Sequence, residues 1–251
     1  MAEFSGIRSK YYKEALREFP KVRDEDLEIM RDYLCPMEGE IILEVGSGSG
    51  FFSDYIAEML GNGKLIVTDP SKEQLGESIN FLRNNIEIRE EGAEELSLDK
   101  ESVDAIWSFG AFHHCFNKTK AFENFNRVLK KNGRLVIVDV LQGSKLAKHF
   151  DEKVAKYCVS GHEVSFLTKE FTKSLCFLSK FGEPEFFDLD VKWKFNQKED
   201  IGKFLYKLHA MTKCSYEECL KGAEELLGVK EKNGLFYLDW PLTVVIIEKL
   251  I

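Results

Sequence analysis

The sequence predicts an α/β fold, a mostly parallel sheet covered by helices on both faces. Three observations carry that prediction. Short apolar runs alternate with amphipathic stretches through the first 140 residues. Those runs are continuously apolar rather than alternating, which is the pattern of strands buried on both faces. The first of them opens directly into a glycine cluster, Gly46-Ser47-Gly48-Ser49-Gly50, with a helical pattern behind it.

The elements follow in order. Glu40–Val45 is the first strand. Phe52–Leu60 is a short helix closed by Gly61-Asn62-Gly63, and Lys64–Thr68 is the second strand. Ser71–Asn84 reads as a helix with a capping box, Ser71 at the cap and Gln74 three residues on. Ile86–Arg89 and Val103–Ser108 are the third and fourth strands. Lys118–Lys131 is amphipathic, with Ala121, Phe122, Phe125, Val128 and Leu129 on one face, and Asn132-Gly133 is expected to stop it. Arg134–Val140 is the fifth strand. Thr168–Phe181 is a capped helix ended by Gly182. Phe187–Phe195 alternates strictly and reads as one strand. Gln197–Gly228 is helical, with a second capping box at Ser215 and Glu218, and Leu242–Ile247 is the last strand. No linker or repeat interrupts the chain.

Composition narrows the function. The 251 residues carry 44% hydrophobic and 31% charged side chains, with a net charge of −8. An acidic balance disfavours a broad phosphate-binding surface, so no nucleic-acid partner is expected. No apolar run reaches membrane-spanning length, and the charged N-terminus has no secretory core. The expected location is the cytoplasm, with the six cysteines as free buried thiols. No metal site is expected, since neither cysteines nor histidines show ligand spacing.

The glycine loop is the strongest local signal. It needs positive φ and close backbone approach, which glycine permits. Its spacing does not match a dinucleotide fingerprint: Phe51 and Ser53 stand where the third glycine of that motif would be. Glu44, two residues before the loop, suits a cationic ligand group better than a pyrophosphate. Asp69 ends the second strand nineteen residues beyond Gly50, where a carboxylate can accept both hydroxyls of a ribose. Together these describe a nucleoside carrying an amino-acid-like ammonium. The competing reading is a helix cap at Asp69 and a plain tight turn.

The runs E-V-G-S-G-S-G, V-T-D-P-S, G-A-E-E-L at 92–96, V-D-A-I-W-S at 103–108 and F-N-R-V-L-K-K-N-G-R-L-V-I-V-D at 125–139 resemble class I S-adenosylmethionine-dependent methyltransferases. The nearest variety is the small-molecule type related to ubiquinone and menaquinone biosynthesis methyltransferases. The resemblance implies a Rossmann-like seven-stranded sheet whose last strand returns antiparallel. It implies S-adenosyl-L-methionine as cofactor and S-adenosyl-L-homocysteine as product. Gly46, Ser47, Gly48 and Gly50 would face the methionine part, and Glu44 its ammonium. Asp69 would bind the ribose, Pro70 would pack on adenine, and Ala93 and Glu94 would lie at the adenine edge. Ser108 would present its carbonyl near the ammonium, and Tyr12 would approach the sulfonium. Gly92 replaces the acidic residue that many relatives carry before the alanine, which leaves adenine recognition to backbone groups or to Glu94.

One methyltransferase domain is therefore expected over 1–251. A helical lid at 1–35 precedes a cofactor core at 36–140, and 141–167 and 197–236 are insertions over the acceptor. Methyl transfer needs a base only when the acceptor must lose a proton. His113 and His114 follow strand four, and His162 follows strand five, at the edge where ligands bind in such sheets. They are candidates for base or substrate contact, whereas His149 and His209 are assigned nothing. A small-molecule acceptor and a monomeric or homodimeric state are expected. The alternatives are a protein or nucleic-acid acceptor, or a non-catalytic S-adenosylmethionine-binding protein.

Overall fold

The computed structural model describes residues 4–75 and 83–250. Its strands are β1 (Ile41–Val45), β2 (Lys64–Thr68), β3 (Ile86–Arg89), β4 (Val103–Phe109), β5 (Leu129–Asp139), β6 (Glu185–Leu189), β7 (Lys192–Phe195), β8 (Val229–Lys232), β9 (Leu235–Asp239) and β10 (Leu242–Glu248). Seven of them form one sheet in the order β3-β2-β1-β4-β5-β10-β6. β1 to β5 pair parallel, and β10 runs antiparallel to β5 with Thr243 opposite Asp139. This is the Rossmann-like sheet with an antiparallel last strand that the resemblance implied. β7, β9 and β8 form a separate antiparallel sheet.

The chain divides into two compact units. Unit 2 comprises Ile29–Asp139, Val164–Phe187 and Thr243–Ile251, and it carries the large sheet. Ile42, Leu43, Leu65, Val67, Ala105, Ile106, Val136, Ile137 and Val244 are fully buried, as expected for strands covered on both faces. Helix Lys118–Val128 buries Ala121, Phe122, Phe125 and Val128, and the Asn117 side chain caps it by accepting from Lys120 N.

Three sequence expectations need correcting. The helix at 118 ends at Val128, not Lys131. Leu129 pairs with Val103 and starts β5, and Asn132-Gly133 lies at a register irregularity inside that strand. There a Cβ on Gly133 would meet Asp104 O and Lys130 O at 2.9 Å. The run 187–195 is two strands broken between Leu189 and Lys192, because alternation shows which face is apolar but not which sheet receives it. The insertion 197–236 was read as helices alone, but it also holds β8 and the start of β9. They are joined by Asn233-Gly234, both at positive φ, the signature of a tight hairpin turn. The helix expected over 71–84 is seen at Lys72–Leu75; positions 76–82 lie outside the described residues, and Arg83 and Asn84 are not helical.

Unit 1 comprises Met1–Glu28, Val140–Glu163 and Asp188–Leu242. Helices Lys198–Leu208 and Tyr216–Leu226 approach so closely that a Cβ on Gly202 would lie 2.1 Å from Tyr216 O. Ile201, Phe204, Leu205 and Leu208 form the buried face of the first, and both bonds of the Ser215–Glu218 capping box are present in the second. Trp193 stacks on Trp240 at 4.0 Å. The Trp193 indole N–H donates to Asp26, which is ion-paired with buried Arg23 at 2.5 Å. Breaking one side of such a pair strands a buried charge, so it ties residues 23–26 to β7. Among the described residues no helix is long and apolar enough to cross a membrane.

Candidate functional site

The carboxyl ends of β1, β2, β4 and β5 converge in unit 2. Gly46, Gly48 and Gly50 have φ of 69°, 56° and 78°. A Cβ on Gly46 would come within 2.4 Å of Ala111 Cβ, so the turn after β4 leaves no room for a side chain there. Gly46 N and Ser47 N both donate to Thr68 O, at 2.9 and 3.0 Å, and Gly48 N donates to Asp69 Oδ2 at 2.9 Å. The loop is thereby fastened to the end of β2.

Asp69 makes the cap that the competing reading expects and also holds the glycine loop. Its Oδ1 accepts from Ser71 N at 2.8 Å, a local cap, while its Oδ2 holds the glycine loop. Each oxygen retains a lone pair for a ligand hydroxyl. Burial pushes its pKa up, with the two backbone N–H groups acting against that.

Glu44 is 2% exposed and accepts from Ser53 Oγ at 2.6 Å. Burial raises its pKa to about 8. The Ser53 hydroxyl works against the shift, and the charge of Asp69 adds to it. Burial thus favours the protonated form of Glu44. A raised acid pKa contributes stability that is complete below about 4.5 and lost as pH rises through about 8. The melting temperature of the ligand-free protein should fall across that window, at up to about 1.4 kcal/mol of stability per pH unit from this group. In Glu44→Gln the fall should flatten. An identical pH profile in the variant would show that Glu44 does not carry that proton.

Pro70, Gly92 and Glu94 lie together. A Cβ on Gly92 would meet Glu94 Oε2 at 3.3 Å and Pro70 Cβ at 3.9 Å. Glu94 Oε1 is occupied, accepting from Phe116 N and Asn117 N at 2.9 and 3.1 Å. Burial acts to raise the pKa of Glu94, but these N–H groups and the Cys115 thiol hold it below its usual value. Burial and Glu94 push the Cys115 thiol up, so it is no thiolate nucleophile. Ala93 is buried, its carbonyl accepting from Asn124 Nδ2.

The hydroxyls of Ser47 and Ser108 are buried with no hydrogen-bond partner among the described residues. Such groups cost free energy unless a ligand or water satisfies them. An open hydroxyl on the loop, another at the end of β4 and the buried carboxyl groups of Glu44 and Asp69 fit a polar nucleoside ligand that carries a cationic group.

His113 and His114 share the turn Phe112–His114 of unit 2, with rings 4.1 Å apart. His113 is 5% exposed and doubly held by Asp139, the last residue of β5: Nδ1 lies 2.6 Å from Oδ1, and the backbone N donates to Oδ2 at 3.0 Å. Lys118, also buried, donates to Cys115 O at 2.8 Å; burial lowers its pKa, with the charges of Cys115, Asp139 and Glu94 acting against that. His162 belongs to unit 1, where it stacks on Phe150 at 4.9 Å. Tyr12 is also in unit 1, packed edge-on against Phe4 and accepting from Arg23 at 3.5 Å. His149 is fully buried, and burial followed by the nearby Lys153 lowers its pKa to about 4. The cysteines are free, but they are not uniformly buried: Cys35 is exposed. Sequence reasoning missed Asp139 and Ser53. The only signal for Asp139 was its place as the first acid after the apolar run of strand five.

Comparison with known proteins agrees with this geometry. Residues 43–137 match the family model described as a methyltransferase domain. An uncharacterized methyltransferase of Bacillus subtilis, YcgJ, is 32% identical over 124 residues, 46% of either chain. The ubiquinone/menaquinone biosynthesis C-methyltransferase UbiE of Escherichia fergusonii is 28% identical over 107 residues, 40% of this chain and 43% of that protein. The chain spans somewhat under half the length of the curated relatives it matches. The crystal structure of Bacillus subtilis YcgJ superposes with a TM-score of 0.67 at 16% identity, covering 91% of this chain and 99% of that one. By domain match, residues 43–137 are similar to a methyltransferase domain, in line with the motifs and the sheet order of class I S-adenosylmethionine-dependent methyltransferases.

Proposed function

We propose that the protein transfers a methyl group from S-adenosylmethionine to a small-molecule acceptor. The observation that carries this reading is the glycine loop fastened to Thr68 and Asp69, with the Ser47 and Ser108 hydroxyls left for a ligand. The cofactor, when bound, supplies a methyl group already activated on a sulfonium, so the protein has chiefly to align the acceptor. Glu44 would pair with the ammonium as a carboxylate, its own proton passing to solvent as the cofactor binds. Asp69 would accept from the ribose hydroxyls, and Glu94 Oε2 with Pro70 would frame the adenine. His113, with Nδ1–H committed to Asp139, has Nε2 as its basic nitrogen and takes the acceptor's proton there. The segments of unit 1 lie outside the matched domain.

Asp69→Ala should weaken binding of S-adenosylhomocysteine by about 2–4 kcal/mol, the loss of two charge-assisted hydrogen bonds. A dissociation constant unchanged from the parent would leave Asp69 as a structural tie alone. The reaction itself is tested by labelled methyl transfer into fractionated metabolites, protein and RNA. Label in a low-molecular-weight product supports the proposal. Label only in macromolecule, or cofactor binding without transfer to any fraction, contradicts it.

A further inference from the structure

Outside the cofactor site, unit 1 holds a cluster of sulfur atoms. Cys214 Sγ lies 3.3 Å from Cys219 Sγ, and Cys219 Sγ lies 3.9 Å from Met211 Sδ. Cys214 also donates to Met211 O at 3.3 Å. The two cysteines flank the start of helix Tyr216–Leu226. The chain between them is pinned by the capping box, with Ser215 N donating to Glu218 Oε2 at 2.8 Å and Glu218 N to Ser215 Oγ at 3.3 Å. Cys219 is 1% exposed and Cys214 is half-buried. The sulfurs are thus held in contact by a capped helical turn, one open to solvent and one enclosed.

We infer that Cys214 and Cys219 form a redox modification site that closes to an intramolecular disulfide under a hydroperoxide oxidant. A disulfide bond is about 2.05 Å long, so the sulfurs need to approach by little more than 1 Å, within the reach of small side-chain rotations. The half-exposed Cys214 reacts first. Its sulfur, losing its proton, attacks a peroxide oxygen. The O–O bond breaks, the sulfenic acid forms and water leaves. Cys219 sulfur, losing its proton, then attacks Cys214 sulfur. The S–O bond breaks and a second water leaves. Two thiols and one hydrogen peroxide become one disulfide and two waters, two electrons passing from sulfur to oxygen. Burial raises both thiols above their usual range, which makes the closure slow. The cross-link fastens the loop after helix Lys198–Leu208 to the first turn of the next helix, and it does not depend on the methyl-transfer reading.

The test uses the intact folded chain with hydrogen peroxide, followed by alkylation under denaturing conditions and tryptic mapping. Cleavage after Lys213 and Lys221 places both cysteines in the peptide 214–221. The expected peptide is lighter than its reduced form by about 2 Da, carries no alkyl group and regains two alkylation sites after treatment with a dithiol. Cys219→Ser should leave Cys214 at the sulfenic or sulfinic stage. The inference is overturned if the wild-type peptide carries an alkyl group on either cysteine while other thiols are oxidised, or if either cysteine links instead to another position or another chain.

Discussion

Asp139→Asn should lower turnover by about 10²–10⁴-fold while leaving S-adenosylhomocysteine affinity within about twofold. The size of the effect follows from how Asp139 holds His113. One carboxylate oxygen takes the His113 backbone N–H and the other takes Nδ1. Asparagine has a single acceptor oxygen. The backbone N–H can only donate, so it claims that oxygen and turns the amide nitrogen toward Nδ1. Nδ1 must then accept, the ring proton moves to Nε2, and the nitrogen assigned to the acceptor's proton no longer has a lone pair. The change is nearly isosteric, so β5 and its pairing with β10 should stay in place. It is measured as kcat with the acceptor found by the labelling screen, beside a calorimetric titration with S-adenosylhomocysteine. Full turnover in the variant would mean that His113 removes no proton.

Gly48→Val should weaken cofactor binding by at least about 100-fold, equivalent to about 3 kcal/mol. A β-branched residue at φ 56° is strained wherever it stands, and relieving that strain would turn Gly48 N away from Asp69. One substitution therefore moves both the loop and the proposed ribose acid. Gly46→Ala is the contrasting case: its methyl would meet Ala111 Cβ at 2.4 Å, so it should lower thermal stability as well. Circular dichroism with ligand titration separates the two, because Gly48→Val should keep its helix and strand signal while losing affinity. Wild-type affinity in Gly48→Val would show that the loop does not approach the cofactor.

Much of the core was readable because its signals were local. Continuous apolar runs placed β1, β2 and β3 to within a residue, and the alternating amphipathic helices fixed their parallel pairing. Motif spacing along neighbouring segments singled out the glycines, Asp69 and Glu44, and the structure bonds Gly48 N to Asp69. Three things lay beyond that reach. Glu94 was assigned to adenine by resemblance, yet half of its carboxylate anchors the backbone at 116–117, a contact made across more than twenty residues. Asp139 meets His113 only after β4 and β5 pair, and nothing in the one-dimensional pattern distinguishes it from an ordinary acid ending a strand. The small sheet was missed because β7 was absorbed into an alternating run and the Asn233-Gly234 turn into a helical insertion. Spacing signals report contacts within one element or one turn. Contacts created by strand order emerge only from the folded chain.

The most direct test of the central claim is a calorimetric titration of the wild-type protein with S-adenosylhomocysteine and, separately, with NAD. The account predicts one-to-one binding of S-adenosylhomocysteine, lost in Gly48→Val, and no heat of binding with NAD. Saturable binding of NAD, or no binding of S-adenosylhomocysteine by the folded protein, would contradict it.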